Sequence, residues 1–333
     1  MNDMNRLKVG VIGVGHLGSL HAKMFSEIPS AELVGVMDVD GPRAGSVAGE
    51  FNTREFATVE ELLKSVQAVS IVTPTSTHFE IARKAIDDGV HAFIEKPITG
   101  TTEQAKSIVD LSRAKNVTVQ VGHIERFNPA LLALEKYKVN PMFVESHRLA
   151  QFNPRGTDVA VVLDLMIHDI DIILSLVRSP VEKIEANGVA VVSNSIDIAN
   201  ARLQFANGCV ANVTASRISQ KKMRKMRLFQ RDAYISVDFS EGLAEVFRLA
   251  DLNDGPGNST MMLGEIESGS VKRKIVYEQP EVKEVNALKV ELELFVSAVQ
   301  SGGEPLVTAE EGMRALEIAH DIIEKISQQK IFF

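Results

Sequence analysis

At 333 residues the chain is long enough for two domains, or one large one, with a substantial apolar core. Its residues are 45% hydrophobic and 24% charged, as in ordinary globular proteins, and the net charge of −8 is spread evenly, so no basic half exists to bind DNA or RNA through phosphates. Cys209 is the only cysteine, which excludes an intrachain disulfide and a cysteine-based metal site.

The N-terminus enters the strand KVGVIGVG without a signal-peptide apolar region, and the most apolar run, VAVVLDLMIHDIDIILSLV, is broken by four ionisable residues. A cytoplasmic protein that does not engage a membrane is expected. Strands and helices then alternate through the first 125 residues. VGVI at 9–12 reads as a strand, GVGHLG at 13–18 as a glycine-rich turn, and Leu17, Leu20, Met24 and Phe25 share one side of the following helix. ELVGVMD at 32–38 is a second strand, Thr58 and Glu61 form a capping box before a short helix, and AVSIVTP at 68–74 is a third strand. A helix from His78 to Asp88 stops at Gly89, and HAFIE at 91–95 is the fourth strand. Thr101 and Gln104 open a helix from Thr102 to Lys115, and VTVQVG at 117–122 is another strand. Single helices between strands predict a doubly wound parallel sheet, the Rossmann arrangement.

Gly13, Gly15 and Gly18, with His16 and Leu17 between the last two, match G-x-G-x-x-G between a strand and a helix. The turn needs its glycines for tightness and for close approach of backbone to a pyrophosphate, with the helix N-terminus aimed at it. Asp38, 20 residues after Gly18 at the end of the second strand, is placed to hold ribose hydroxyls and to repel a 2′-phosphate, which favours NAD over NADP. Arg43 nearby could receive that phosphate instead.

Ligands of such sheets bind at the carboxyl ends of the strands. Thr73, Pro74, Thr75 and His78 of the TPTSTH loop fall on that side, as do Glu95 and Lys96. Charge at a buried strand end is costly unless it is paired or used. Glu95 and Lys96 therefore read either as a local salt bridge or as groups held for a ligand, with Pro97 fixing the next φ.

The pattern changes after residue 124, which divides the chain into a dinucleotide-binding domain, 1–124, and an α+β domain, 125–333. VVLDLMIHDIDII at 161–173 reads as a helix with Asp164, His168 and Asp171 on one face. A buried hydrogen-bond network, a metal site and a catalytic group all fit that stripe, although no nearby cluster completes a metal site. IDIANARLQF at 196–205 and CVANVTASR at 209–217 flank Asn207-Gly208, a hairpin signal, and Ala199, Ala201, Leu203 and Phe205 alternate with polar residues. A mostly antiparallel open sheet is expected, partly covered by helices at 286–300 and 309–328. KKMRKMR at 221–227 reads as a solvated edge or loop, or as an anion site, and DLNDGPGNST at 251–260 as an exposed loop.

The E-K-P triplet at Glu95, Lys96 and Pro97, following a Rossmann fingerprint, resembles the glucose–fructose oxidoreductase, inositol dehydrogenase and MocA family. VGHIERFNP at 121–129 and EPLVTAEEGMRALEIA at 304–319 extend the resemblance over nearly the whole chain. The resemblance implies that Lys96 lies near the nicotinamide and contacts the reacting hydroxyl. It also implies cofactor contacts from Gly13 to Gly18, Asp38, Thr73, Pro74, Thr75, His78, Glu95 and Arg126. The family pattern D-x-G-x-H-x-x-D maps onto Asp164, His168 and Asp171. His168 would then be the general base, an imidazole titrating near ~6.5 when unperturbed. Asp164 would position substrate or imidazole, and Arg126 and Asp171 would contact substrate. Met166 departs from the pattern's glycine, and Ala160, Val161 and Val162 stand where glycines are usual. Homodimers or homotetramers formed through the open sheet face are implied as well.

The implied activity is oxidation of a secondary hydroxyl on a sugar or nucleotide sugar. VGHIERFNP and the HDID variant are most similar to the UDP-N-acetylglucosamine 3-dehydrogenases, with free inositol or hexose as the alternative substrate. A dinucleotide-binding regulatory protein is the alternative of another class, and retention of Lys96, Asp164 and His168 together weighs against it.

Overall fold

The computed structural model describes residues 6–153, 159–251, 260–268 and 271–328. The loop expected at 251–260 lies outside them, apart from its first and last residues. The chain divides into two units. One ends at Ile124 and takes in Val285–Glu317, and the other comprises Glu125–Glu284 and the chain from Ile318.

The first unit is built on six strands: β1 (Leu7–Ile12), β2 (Ala31–Met37), β3 (Arg54–Glu55), β4 (Ala68–Ile71), β5 (His91–Glu95) and β6 (Val119–Gly122). Every pairing is parallel, and the order is β3-β2-β1-β4-β5-β6. This is the doubly wound order that the alternation predicts, and it reverses between β1 and β4, where such sheets open a crevice.

The helices are α1 (His16–Glu27), α2 (Gly41–Glu50), α3 (Val59–Leu63), α4 (Thr75–Asp87) and α5 (Thr102–Lys115). Their starts follow from local chemistry. Asp40, Thr58 and Thr101 each accept a backbone N–H three residues on, capping α2, α3 and α5. Asn116, left-handed at φ 53°, ends α5. One sequence expectation changes here. α4 begins three residues early because Pro74 occupies its N-cap, so Thr75 and His78 lie in a first helical turn rather than a loop. The stretch after Asp38 forms α2 despite glycines at 41, 45 and 49, held by its cap and by burial of Ala44, Val47 and Ala48.

In the second unit, a short α6 (Pro129–Leu132) precedes β7 (Phe143–Leu149), and α7 (Ile167–Val177) follows it. Then come β8 (Val181–Val189), β9 (Ile198–Phe205), β10 (Val210–Ser216), β11 (Met223–Phe229), β12 (Ala233–Asp238), β13 (Leu243–Asp251), β14 (Thr260–Ser268) and β15 (Val271–Glu278). Their order is β14-β15-β13-β12-β11-β7-β10-β9-β8, antiparallel except for β7 beside β10. The expected hairpin is present: Gly208 takes φ 85°, and Asn207 accepts the Cys209 N–H at 3.0 Å. Ala199, Ala201, Leu203 and Phe205 are buried on the covered face.

The other face carries one row of rings, Phe143, Phe229, Tyr234, Phe247 and Tyr277, in contact across five strands with centroids 4.9 to 5.7 Å apart. The basic run is loop only at Lys221 and Lys222, because Met223–Phe229 is an interior strand. Arg224, Lys225 and Arg227 each stand within 3.5 Å of a carboxylate, on Glu125, Asp238 and Glu145.

The two C-terminal helices, α8 (Ala287–Ser301) and α9 (Ala309–Ser327), do not both cover this sheet. α8 buries Leu288, Leu292, Phe295 and Val296 in the first unit's core, where the Phe295 ring meets Phe93 edge-on at 5.8 Å. Its apolar stripe fits either sheet equally well on periodicity alone, so the sequence does not distinguish them. Near the end of α9, Ile326 lies against Gly188 of β8.

Candidate active site

The glycine turn joins β1 to α1 at the crevice. Gly13 adopts φ 84°, and a Cβ there would come 2.7 Å from Thr73. At Gly18 a Cβ would sit 1.8 Å from the Gly13 carbonyl oxygen, so helix and turn pack too closely for any side chain. Gly15 differs: a Cβ there would meet nothing within 4 Å, which leaves bare backbone facing open space ahead of α1. That is the surface a pyrophosphate needs. His16 and Leu17 begin α1 and are exposed.

Asp38 is fixed from both sides. Its Oδ2 accepts the Val14 N–H at 2.7 Å, and its Oδ1 accepts the Asp40 N–H at 2.9 Å. The Asp38 carboxylate is thus tied to the glycine turn itself. Arg43 lies 3.6 Å from Asp38 and 2.9 Å from Asp40, so two carboxylates already answer its charge.

His78 is buried, with Nδ1 2.9 Å from the Pro97 carbonyl oxygen and Nε2 2.8 Å from that of Thr73. It braces the segments that follow β4 and β5. Thr73 also accepts the Thr77 hydroxyl at 2.8 Å. Glu95 and the half-buried Lys96 end β5 on this same side, and the Lys96–Pro97 peptide is cis. The first unit therefore gathers the glycine turn, Asp38, Thr73, Pro74, Thr75, His78, Glu95 and Lys96 at the carboxyl ends of its strands. A dinucleotide fits these residues: its diphosphate would meet the open main chain at Gly15, and its ribose an oriented carboxylate.

In the second unit the stripe carrying His168 is more elaborate than a plain α-helix. Val162–Met166 form a π-helical turn, and α7 begins only at Ile167. Asp164 lies in the wide turn, so the i, i+4 spacing to His168 is not that of an α-helix, whereas His168 and Asp171 keep theirs. Such turns recur at functional sites and leave no signature in hydrophobic periodicity.

The residues beside His168 are locked. The guanidinium of Arg126 donates to both oxygens of Asp171, at 2.7 Å each, and Asp171 is buried. Arg148 donates to Asp169 at 2.7 and 3.2 Å and to Glu125 at 2.8 Å, while the Ser146 hydroxyl donates to Asp169 at 2.9 Å. Burial opposes the charge on Arg148, but the Asp169 and Glu125 carboxylates outweigh it and hold its pKa above the ordinary value. Removing one partner from such a buried pair costs about 3–5 kcal/mol. Sequence reading singles out Arg126 and Asp171 without pairing them, and misses Arg148, Asp169 and Glu125, whose contacts join a strand, a helix and a short turn more than 20 residues apart.

The side chain of Asp164, by contrast, is 41% exposed, with Arg217 3.8 Å away. Asp197 organises the loop that supports this corner. It accepts the N–H groups of Val191, Val192 and Ser193 and the Ser193 hydroxyl at 2.7 to 3.0 Å. Burial works against its charge, but the hydroxyl and three N–H groups hold its pKa down at about 2. Through the loop, the Ile196 carbonyl accepts the Val161 N–H and the Asp197 carbonyl accepts the Arg217 N–H. Neither Arg217 nor Asp197 has a spacing signal that would mark it. Among the described residues no His, Cys, Asp and Glu cluster could hold a metal ion, and no helix is long and apolar enough to cross a membrane.

A parallel sheet in this order, with a glycine turn and an acid closing its second strand, defines a dinucleotide-binding oxidoreductase class. The chain belongs to the Gfo/Idh/MocA family. Residues 7–123 match its oxidoreductase, NAD-binding Rossmann domain and residues 142–244 its C-terminal domain. The chain is 43% identical over 245 residues to a UDP-N-acetylglucosamine 3-dehydrogenase of Acidithiobacillus ferrooxidans, covering 73% of this chain and 78% of that protein. A solved structure of that organism's UDP-N-acetylglucosamine 3-dehydrogenase superposes with a TM-score of 0.86 at 36% identity, over 97% of this chain and 98% of the other. The scyllo-inositol 2-dehydrogenase (NAD(+)) of Bacillus subtilis is 30% identical over 65% of this chain and 68% of its own.

Proposed function

We propose that the protein oxidises the 3-hydroxyl of UDP-N-acetylglucosamine with NAD, giving a 3-keto nucleotide sugar. The likeness to an enzyme of that activity, which runs through both units at 36% identity, carries the reading. The glycine turn and Asp38 would hold NAD, which would supply the acceptor for the hydride leaving the carbinol carbon. Lys96 holds the reacting oxygen and favours its developing negative charge, while His168 takes the hydroxyl proton. Asp164 and Arg126 orient the sugar, and the buried Arg126–Asp171 pair keeps α7 from turning.

The test is NADH absorbance with UDP-N-acetylglucosamine, free N-acetylglucosamine and myo-inositol as substrates. Only the UDP sugar is expected to react. Equal rates with the free sugar would end the nucleotide-sugar reading, and reaction with inositol alone would replace it by the activity of the inositol relatives. NADP in place of NAD should react more weakly, because Asp38 faces the added phosphate and Arg43 is already drawn to two carboxylates. Asp38→Ser should narrow that gap, and equal use of the two cofactors by the unmodified protein would end the cofactor argument. The ring row on the open sheet face further supports a homo-oligomer.

A further inference from the structure

His21 lies on the buried side of α1 and is fully enclosed. Its ring meets Phe93 edge-on at 5.5 Å, and Phe25 and Phe295 belong to the same unit's core. A leucine or methionine would be the ordinary occupant of such a place. The imidazole instead brings two nitrogens that need partners, and a buried polar atom left unsatisfied costs about 1–3 kcal/mol. Nδ1 has a partner, the Ser70 hydroxyl of β4 at 2.9 Å. Nε2 makes no hydrogen bond of good geometry, yet it stands 3.2 Å from Glu95 Oε1, within ion-pair range but off the axis of a straight bond. Core packing alone does not account for this ring.

Glu95 shows what the ring faces. Its second oxygen, Oε2, accepts the backbone N–H of Lys96 at 3.2 Å. On β6, Gly122 pairs with Glu95, and a Cβ there would come 2.8 Å from Oε1. The carboxylate is therefore boxed by a ring, a main-chain N–H and a glycine, with its side chain only 12% exposed. α1 also carries the glycine turn at its start, so His21 links the helix beneath the pyrophosphate site to the strand end that presents Lys96. Hydrogen bonds of active sites are often misaligned before ligand closes on them and straighten in the complex.

We infer that His21 is a positioning residue for the hydride transfer, acting through the Glu95 carboxylate to hold the Lys96 main chain, and with it the ammonium group, in register with the cofactor helix. The inference rests on the proposed role of Lys96 at the reacting oxygen. A single tautomer serves both contacts: Nε2–H directed at Glu95, with Nδ1 accepting from Ser70. His21 touches neither substrate nor cofactor in this account.

The test compares His21→Met, which fills the space without an N–H, with His21→Gln, which keeps an amide donor. His21→Met should lower kcat by about 10–100-fold, the scale of a small misplacement of reacting groups, with little change in KM for the sugar. His21→Gln should recover most of that loss. In a Glu95→Gln background, His21→Met should cost almost nothing further, because the route through the carboxylate is already cut. The fluorescence of bound NADH should change in His21→Met and return in His21→Gln. If His21→Met does not fold, Ser70→Ala, which releases the ring's other nitrogen, should lower kcat in the same direction. Wild-type turnover in the methionine variant, equal losses in both variants, or full additivity with Glu95→Gln would overturn the inference. A wild-type protein silent toward the sugar panel would instead sink the proposed substrate. The NADH signal would still decide the role of His21, and emission unchanged in both variants would refute it.

Discussion

His168→Asn is expected to lower kcat by about 10²–10⁴, the range lost with a general base, while NADH affinity stays nearly unchanged. Asparagine keeps a polar side chain of similar reach but cannot accept and release a proton near neutral pH. The surroundings make the experiment clean. Asp169 and Asp171, one and three residues on, are gripped by Arg148 and Arg126, so the first turn of α7 has little freedom to shift when the ring is replaced. Steady-state rates with UDP-N-acetylglucosamine, set beside a fluorescence titration of NADH, measure the two quantities separately. Turnover at the wild-type level would make His168 a structural histidine and send the search for the base elsewhere.

Lys96→Met should reduce kcat by about 10²–10³, the usual loss when one preorganised donor to a developing oxyanion is removed. Methionine preserves most of the stem's volume, so packing at the end of β5 changes little, and the lost ammonium is the variable under test. The Glu95 carboxylate should not be stranded by the change, because its oxygens face His21 and the Lys96 main-chain N–H. Thermal unfolding close to wild type, together with collapsed turnover, is the expected pair of results. An active Lys96→Met enzyme would leave the charge at this strand end without a chemical role.

How much of this was legible in the sequence follows from the range of the interactions. The glycine turn, the Thr58 and Thr101 caps and the Asn207-Gly208 hairpin all depend on residues a few positions apart, and each is where local chemistry places it, whereas Asp38, bonded to Val14 across 24 residues, is found through the fixed spacing of the fingerprint. The π-helical turn at Val162–Met166 is local too, but it shares its hydrophobic pattern with an α-helix. Arg148 with Asp169 and Arg217 near Asp164 join separate elements, and no spacing rule reaches that far. The basic run at 221–227 shows the same limit from the other side. Its charge density is read directly, but only the sheet register sets Lys225 beside Asp238 and Arg227 beside Glu145.

The ribosome meets the first unit in an awkward order. All six of its parallel strands emerge by Gly122, yet Leu292, Phe295 and Val296, which close their core, come only after the whole second sheet has been made. At ordinary rates of synthesis that interval is on the order of ten seconds. Throughout it, the nascent sheet lacks the ring that later covers the edge of Phe93, leaving an apolar surface that a chaperone could occupy. Non-local parallel pairing is slow to form in any case. A gene fragment stopping at Ile124 would encode every strand of the nucleotide-binding sheet and still be missing part of its core, so the two units are compact in space but inseparable as stretches of DNA.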